Sequence, residues 1–317
     1  MISVVIPLYN KAHTIVNTLH SVLKQTFTSF EVIIVNDGST DNSVQVIQEY
    51  SNDKRIRIIN QNNQGVSVAR NNGVAKAKYK FIAFLDGDDE WLPQYLENMV
   101  SAIQQFPNAG MYCCAGFIRN GKKTVTRLAQ KYADKIVEID FFENPHVFLH
   151  TSATIISREK FFKTTGFPNG LKRNEDFALF FQFAMLYKVI YVGFPLSIYV
   201  GGVAGQATET KMDKVMLHVI RRYQIVHSCY KSLEKRIEPY KIFTRYELRH
   251  QFLNFINGKK YDTLEIFIND LPEVLNDLFT TLELKLILNR NFSKLAKMYI
   301  LLTKVRWRLR GYPIVNN

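Results

Sequence analysis

The stretch "KFIAFLDGDDEW", residues 80–91, runs from an apolar segment straight into four acids, Asp86, Asp88, Asp89 and Glu90. A short continuous apolar run bounded by turn residues reads as a strand buried on both faces, as in a parallel sheet covered by helices. In an open α/β sheet, ligands bind beyond the carboxyl ends of the strands, which is where these acids stand. The chain carries a net charge of +13. Gathering negative side chains at one point therefore calls for a cation to share the site, since like charges so close repel.

The flanking sequence repeats the pattern. "ISVVIPL" (2–8), "FEVIIVN" (30–36), "RIRIIN" (55–60) and "KFIAFL" (80–85) are strand-like, and amphipathic segments at about 11–25, 41–51, 65–77 and 93–105 separate them. Such alternation specifies an α/β fold with a Rossmann-like, mostly parallel central sheet flanked by helices. In "NDGSTDNS" (36–43), Gly38 permits a positive φ, and Ser39 or Thr40 can cap the next helix. No Gly-x-Gly-x-x-Gly follows the first strand, and there is no complete Gly-x-x-x-x-Gly-Lys-Ser/Thr loop. A dinucleotide-binding dehydrogenase and a Walker-type phosphatase or kinase are thereby disfavoured. A nucleotidyltransferase would carry a Gly-rich basic loop after its first strand, and "PLYNKAHT" (7–14) is not one.

With 317 residues, 47% of them hydrophobic, the chain can build one substantial core and a smaller second unit. Three cysteines, Cys113, Cys114 and Cys229, make no paired framework and point to a reducing cytosol. No secretory signal is visible at the start. The longest apolar region, 177–205, is interrupted by Gln182, Lys188 and Pro195. It reads as a buried helix followed by a strand, because a span needs roughly 20 predominantly apolar residues.

Three strand ends carry unusual residues: "PLYN", "VNDGSTD" and "LDGDD". Asp86 and Asp88 are two apart and point to one side of an extended segment, and Gly87 between them lets a ligand approach the backbone. Carboxylate oxygens suit Mg2+ or Mn2+; the plainer reading is a solvated acidic turn capping the helix near Pro93. Asp37 can accept a hydrogen bond from a base imide N–H, or serve as an Asx-turn or helix-cap carboxylate. Tyr9 can lie against a nucleobase or be an ordinary half-buried tyrosine. Arg70 can reach base or phosphate, or be a surface charge on a helix. Glu175 and Asp176 precede an apolar run of helical length. They either complement the helix dipole or include a general base, Asp176, which the same dipole helps keep ionised.

Taken together, "VVIPLYN", "VNDGSTDNS", "GVSVARNNG", "FLDGDDEW" and "NED", in this order, resemble the inverting family 2 glycosyltransferases of the GT-A fold. The resemblance covers roughly residues 1–205 and omits the C-terminal third. It implies that Pro7 and Tyr9 line a nucleotide pocket, Asp37 meets the base and Arg70 lies nearby. It further implies that Asp86 contacts the ribose side, that Asp88 holds a divalent cation on the diphosphate, and that Asp176 is the catalytic base with Glu175 beside it. Asp89 and Trp91 fit the local pattern. Many relatives carry a basic or histidine-containing segment where this chain reads "IYVGGVAGQATE" (198–209), so Gln206 and Thr208 become candidates for a lid over the diphosphate. The expected reaction is transfer from a nucleotide sugar, with uridine the leading base, to a glycan or polyprenyl-linked glycan in surface polysaccharide synthesis.

The expected division is a catalytic domain at 1–209 and a helical, basic C-terminal region at 210–317. Residues 1–100 hold nine Lys/Arg against ten Asp/Glu, whereas residues 201–317 hold twenty against eleven. No acid follows Glu283. In "SKLAKMYILLTKVRWRLR" (293–310), Leu295, Met298, Leu302, Val305 and Leu309 share one helical face, with Lys297, Lys304 and Arg308 opposite, although Ile300 and Leu301 intrude on the polar side and Arg306 sits near the apolar one. Either residues 284–317 lie on the anionic inner face of a membrane, placing a cytoplasmic protein at its periphery, or the helix packs on the protein's own body or a second subunit. A polyanion-binding module, or a catalytically inactive scaffold of the same ancestry, is the rival reading. The first explains the basic rear but leaves the acids in front unexplained, so no nucleic-acid partner is expected.

Overall fold

The computed structural model describes residues 1–144, 147, 149–203, 206, 212–234 and 237–308; at 212–215, 304 and 306–308 it describes the backbone alone. Two compact units emerge. The first comprises Met1–Ile139 and Val147–Lys211, the second Asp140–His146 and Met212–Asn317.

The first unit is built on strand β1 (Ile2–Leu8), whose side chains are almost all buried. Strands β2 (Phe30–Asp37) and β4 (Phe81–Phe84) pair with it in parallel on either side, and β3 (Ile56–Gln61) pairs in parallel with β2. This four-strand block is the alternation read from the sequence. Beyond β4 the sheet becomes mixed. β9 (Thr154–Ser157) runs antiparallel to both β4 and β6 (Met111–Asn120), and β10 (Val189–Gly201) is parallel to β6. The short β5 (Glu90–Trp91) closes the far side against β10, giving the order β3-β2-β1-β4-β9-β6-β10-β5. Strands β7 (Lys123–Arg127) and β8 (Ile136–Ile139) add antiparallel partners to β6 and β10.

Helices α1 (Ile15–Leu23), α2 (Ser43–Tyr50), α3 (Val66–Lys76), α4 (Tyr95–Gln105), α5 (Arg158–Phe161) and α6 (Glu175–Leu186) complete the unit. The apolar region from 177 is α6 followed by β10, as expected. One position fixes how closely α3 can lie on β1: a Cβ at Gly73 would stand 2.3 Å from Val5 Cγ1. Overpacking of that kind costs about 1–3 kcal/mol. Register then sets the site. Leu8 is opposite Asn36 and Val5 opposite Phe84, so the segments after β1, β2 and β4 leave the same edge of the sheet.

The second unit is helical: α7 (Met212–Ser232), α8 (Glu238–Asn257), α9 (Tyr261–Asn269), α10 (Pro272–Leu278), α11 (Thr281–Leu288) and α12 (Ser293–Arg308). Its core joins Leu248, Phe252 and Ile256 of α8 to Phe267, Leu275, Ile287, Ala296 and Ile300. Thr280 and Glu283 form a capping box at the start of α11. Burial would raise the Glu283 carboxyl, but the Thr280 N–H, the Tyr299 hydroxyl and Arg249 outweigh it and bring it down to about 2.

Helix α12 packs differently from the expected face. Ala296 and Ile300 are fully buried, whereas Leu295, Met298, Leu302 and Val305 are 46%, 54%, 63% and 52% exposed. Ile300 belonged to the polar side of the anticipated pattern, yet it is an anchor, because the body claims a narrow stripe about 160° away from the anticipated apolar face at 3.6 residues per turn. Leu309 and Arg310 lie outside the described residues.

Candidate active site

The edge where β1, β2 and β4 end opens into a cavity of about 510 Å3, bounded as well by the start of α6. Pro7, Tyr9, Asp37, Arg70, Asp86, Asp88, Glu175 and Asp176 all line it. Segments 139 residues apart, from Asp37 to Asp176, thus share one cleft.

The loop after β1 is stitched to the loop after β2. Asn10 adopts φ 51°, and its Oδ1 accepts the Thr40 N–H at 2.8 Å. The Lys11 N–H donates to Ser43 Oγ at 2.8 Å, and the Ala12 N–H donates to Asp41 Oδ2 at 3.1 Å. Polar side chains that satisfy backbone groups this way hold irregular loops in place. Tyr9, on the first of these loops, is 46% exposed and so offers a free ring face at the cavity.

Asp37 forms no Asx turn, since the Ser39 N–H donates to Asn36 Oδ1 instead, and it reaches across to the start of a different helix. Its carboxylate accepts Gln61 Nε2 at 2.7 Å, the Gln64 N–H at 2.9 Å and the Gly65 N–H at 2.8 Å, fastening the entry to α3. An ionised carboxylate has about four acceptor directions. One remains for a ligand N–H.

Arg70 lines the cavity and is not a surface charge on its helix: buried, its guanidinium donates to Asp86 Oδ1 at 2.7 Å and Glu175 Oε1 at 2.9 Å. It lies over the Phe167 ring, 5.1 Å from the centroid, and its side chain is 4% exposed. A buried charge needs partners of opposite sign, and the two acids at the cleft supply them. Glu175 is accordingly engaged by Arg70 before any ligand arrives.

The other acids of "DGDDEW" are also individually matched. Asp88 Oδ2 meets Lys11 Nζ at 2.7 Å and Gln206 Nε2 at 3.3 Å. Asp89 is buried and accepts the Ser152 hydroxyl at 2.6 Å and the Val200 N–H at 3.0 Å. Burial, with Asp86 and Asp88 adding like charge, pushes its carboxyl well above the ordinary range. Glu90 pairs with Arg119. The free protein therefore tolerates this acidic stretch by pairing its members one by one. Gly87 lines the cavity, and a Cβ there would make only ordinary contacts, with Pro7 O at 3.4 Å and Lys11 Cγ at 3.6 Å. Trp91 stacks on Tyr95 at 4.1 Å and donates to Ser152 O at 2.6 Å, a structural role.

Asp176 stands in the first turn of α6, after Asn174 in the left-handed conformation at φ 65°. Desolvation raises its carboxyl to about 7; Glu175 adds to the rise, and Arg70 and the Phe177 N–H oppose it. A carboxylate so tuned exchanges a proton near neutrality, as general base catalysis requires.

Among the described residues, no group of three or more His, Cys, Asp or Glu side chains is arranged to hold a metal on its own. Asp88 nevertheless offers a hard carboxylate oxygen to the cavity. A lone carboxylate suits Mg2+ or Mn2+ when phosphate and water fill the other positions. The residues present fit such an ion.

Residues 3–166 match the family model of Glycosyl transferase family 2. The chain belongs to glycosyltransferase family 2. The match ends before Asp176. The uncharacterized glycosyltransferase RP339 of Rickettsia prowazekii is 26% identical over 219 residues, 68% of each protein. The putative glycosyltransferase EpsH of Bacillus subtilis is 37% identical over 138 residues, 42% of this chain and 40% of EpsH. The uncharacterized glycosyltransferase YibD of Escherichia coli is 45% identical over 101 residues, which is 32% of this chain and 29% of YibD. The matched segment thus spans less than a third of the length of YibD. Among solved structures, S. aureus TarS 1-349, crystallised with UDP-GlcNAc, superimposes with a TM-score of 0.72 at 18% identity. That superposition covers 94% of this chain and 88% of TarS 1-349. It shows a shared GT-A-like fold, helical C-terminal region included.

For this family 2 member, sequence reasoning missed Lys11 and His150, both of which line the cavity. Burial pushes the His150 imidazole down to about 4, so it is neutral, with Nε2 3.0 Å from Ser197 Oγ. Neither residue has a motif to announce it. Gln206 does come to the cavity, held by Val200 O at 2.6 Å. Thr208 lies outside the described residues.

Proposed function

We propose that this chain is a metal-dependent inverting glycosyltransferase that moves a sugar from a nucleotide donor to an acceptor hydroxyl. The observation that carries the reading is Asp176, a carboxyl tuned to about 7 in the same cleft as Asp37 and Asp88. A sugar nucleotide needs its departing diphosphate neutralised and its acceptor deprotonated. The cation, held by Asp88, would supply the Lewis acidity for the leaving group.

The remaining work belongs to the chain's own residues. Tyr9 offers a ring face to the base, and Asp37 its remaining acceptor direction to an imide N–H. Asp86, oriented by Arg70, faces the ribose side. Asp176 takes the acceptor's proton as the oxygen attacks the anomeric carbon from the face opposite the diphosphate, so configuration inverts. Uridine is favoured as the base because TarS, of like fold, binds UDP and UDP-GlcNAc. A glycan or polyprenyl-linked glycan acceptor in surface polysaccharide synthesis follows from the family resemblance.

Cytoplasmic residence with peripheral contact at an anionic membrane face completes the reading. No described helix is long and apolar enough to cross a membrane. What supports contact is α12: Leu295, Met298, Leu302 and Val305 form an outward apolar stripe, and Lys294 beside it is exposed. A second copy laid stripe to stripe would bring like charges together. Anionic headgroups would attract them by about 1 kcal/mol per basic residue.

The test of the donor reading is a screen of UDP, dTDP and GDP sugars with Mn2+ for thermal stabilisation, since binding to the native state raises the midpoint. Stabilisation by the uridine compounds is expected. No response to any of them removes the proposal.

A further inference from the structure

The Asp88 carboxylate that would receive the cation already carries a cation of the protein's own. Lys11 Nζ lies 2.7 Å from Asp88 Oδ2, and the two side chains are 14% and 10% exposed. Gln206 Nε2 reaches the same oxygen at 3.3 Å. The backbone of Lys11 is held in place. Its N–H is fixed to Ser43 Oγ at 2.8 Å, and Thr14 Oγ1 ties the same loop to Gly87 O at 2.8 Å. Only the flexible end of the side chain is free to move, and the cavity it faces is the one that would receive the diphosphate.

Charge balance governs the order of binding. In the free protein Lys11 and Asp88 cancel, and Arg70 spans Asp86 and Glu175. A dication arriving alone at Asp88 would share that carboxylate with the Lys11 ammonium or displace it, in either case setting two new positive charges beside it with no compensating anion. A diphosphate arriving with the metal changes the balance, because it offers Lys11 another anionic partner within reach of its four-carbon stem. We propose that Lys11 is an internal stand-in for the metal, handed from Asp88 to the donor diphosphate, so that cation and nucleotide bind as a unit. This rests on the proposed metal role of Asp88. Lys11 thereby becomes a donor-binding residue, and the free protein is kept from taking up metal ahead of its substrate.

Linkage makes the proposal measurable, because each ligand must raise the other's affinity by the same factor. Mn2+ binding to the full chain is followed by the loss of the free-ion EPR signal, with and without UDP. In the unaltered protein, UDP should tighten Mn2+ at least about tenfold, a typical coupling. Lys11→Met should tighten Mn2+ alone by about tenfold and weaken metal-free UDP, so that the coupling shrinks. Lys11→Gln, which keeps a polar stem, should act in the same direction.

Equal Mn2+ affinity with and without UDP in the unaltered protein overturns the inference. So does Mn2+ affinity unchanged in both variants. Asp88→Asn separates the metal site from the handover. If it keeps full Mn2+–UDP binding, the metal site itself is misassigned. If it loses that binding while the Lys11 variants behave as the parent, the metal site stands and the handover alone is wrong.

Discussion

Arg70 and Glu175 are joined by a 2.9 Å ion pair across 105 positions of sequence, and the same guanidinium holds Asp86 at 2.7 Å. One buried cation thus ties the loop after β4, on the donor side, to the first turn of α6, where the proposed base sits.

Breaking that tie leaves two acids facing each other without compensation. Arg70→Met is expected to destabilise the protein by about 3–5 kcal/mol, the usual cost of removing one member of a buried pair. Calorimetric unfolding checks this. The double variant Arg70→Met, Glu175→Gln should lose less than the sum of the single losses, since the residues interact directly. Strict additivity would show the contact to be energetically idle.

Asp176 gives a pH dependence of definite sign. Its carboxyl is raised from 3.8 to about 7 on folding. A raised acid contributes stability that is complete below its unfolded value and is lost as pH climbs through the folded one. The base form grows over the same interval. Transfer rate should therefore rise, and stability fall, between about pH 4 and 7. Glu175→Gln removes a like charge, so the acid limb of the rate profile should move to lower pH. A limb that moves upward contradicts the electrostatic account.

Asp176→Asn keeps the shape of the side chain and removes the proton acceptor. Transfer should fall by about 10²–10⁴-fold, the range expected for losing a general base. UDP-sugar affinity, measured by calorimetric titration, should change little. Transfer near the parent rate would mean that another group takes the proton.

The exposed stripe of α12 predicts vesicle binding. The full chain should float with phosphatidylglycerol vesicles and much less with phosphatidylcholine, and about 0.5 M salt should weaken the association. The triple variant Leu295→Ser, Met298→Ser, Leu302→Ser should lose flotation without loss of fold, because all three side chains are about half exposed or more. Equal recovery of parent and variant would point to another role for the stripe, and a concentration-dependent dimer lost in the variant would identify a second copy as its partner.

From sequence alone came the α/β class, the parallel block, and the acids at strand ends. These are local properties: apolar runs of strand length, glycines at turns and carboxylates beside them are visible in any short window of the chain. Partnership was not visible. Nothing in "ARN" tells that Arg70 turns inward to Asp86 and Glu175, and nothing in "YNK" tells that Lys11 lies on Asp88. Nor could a helical wheel tell that α12 anchors through Ala296 and Ile300, since periodicity names an apolar face but not which neighbour claims it. Those choices depend on which distant charges and surfaces the sheet register brings within a few ångströms. They were decided only when the chain closed on itself, because electrostatic pairing and close packing act over separations in space and not along the sequence.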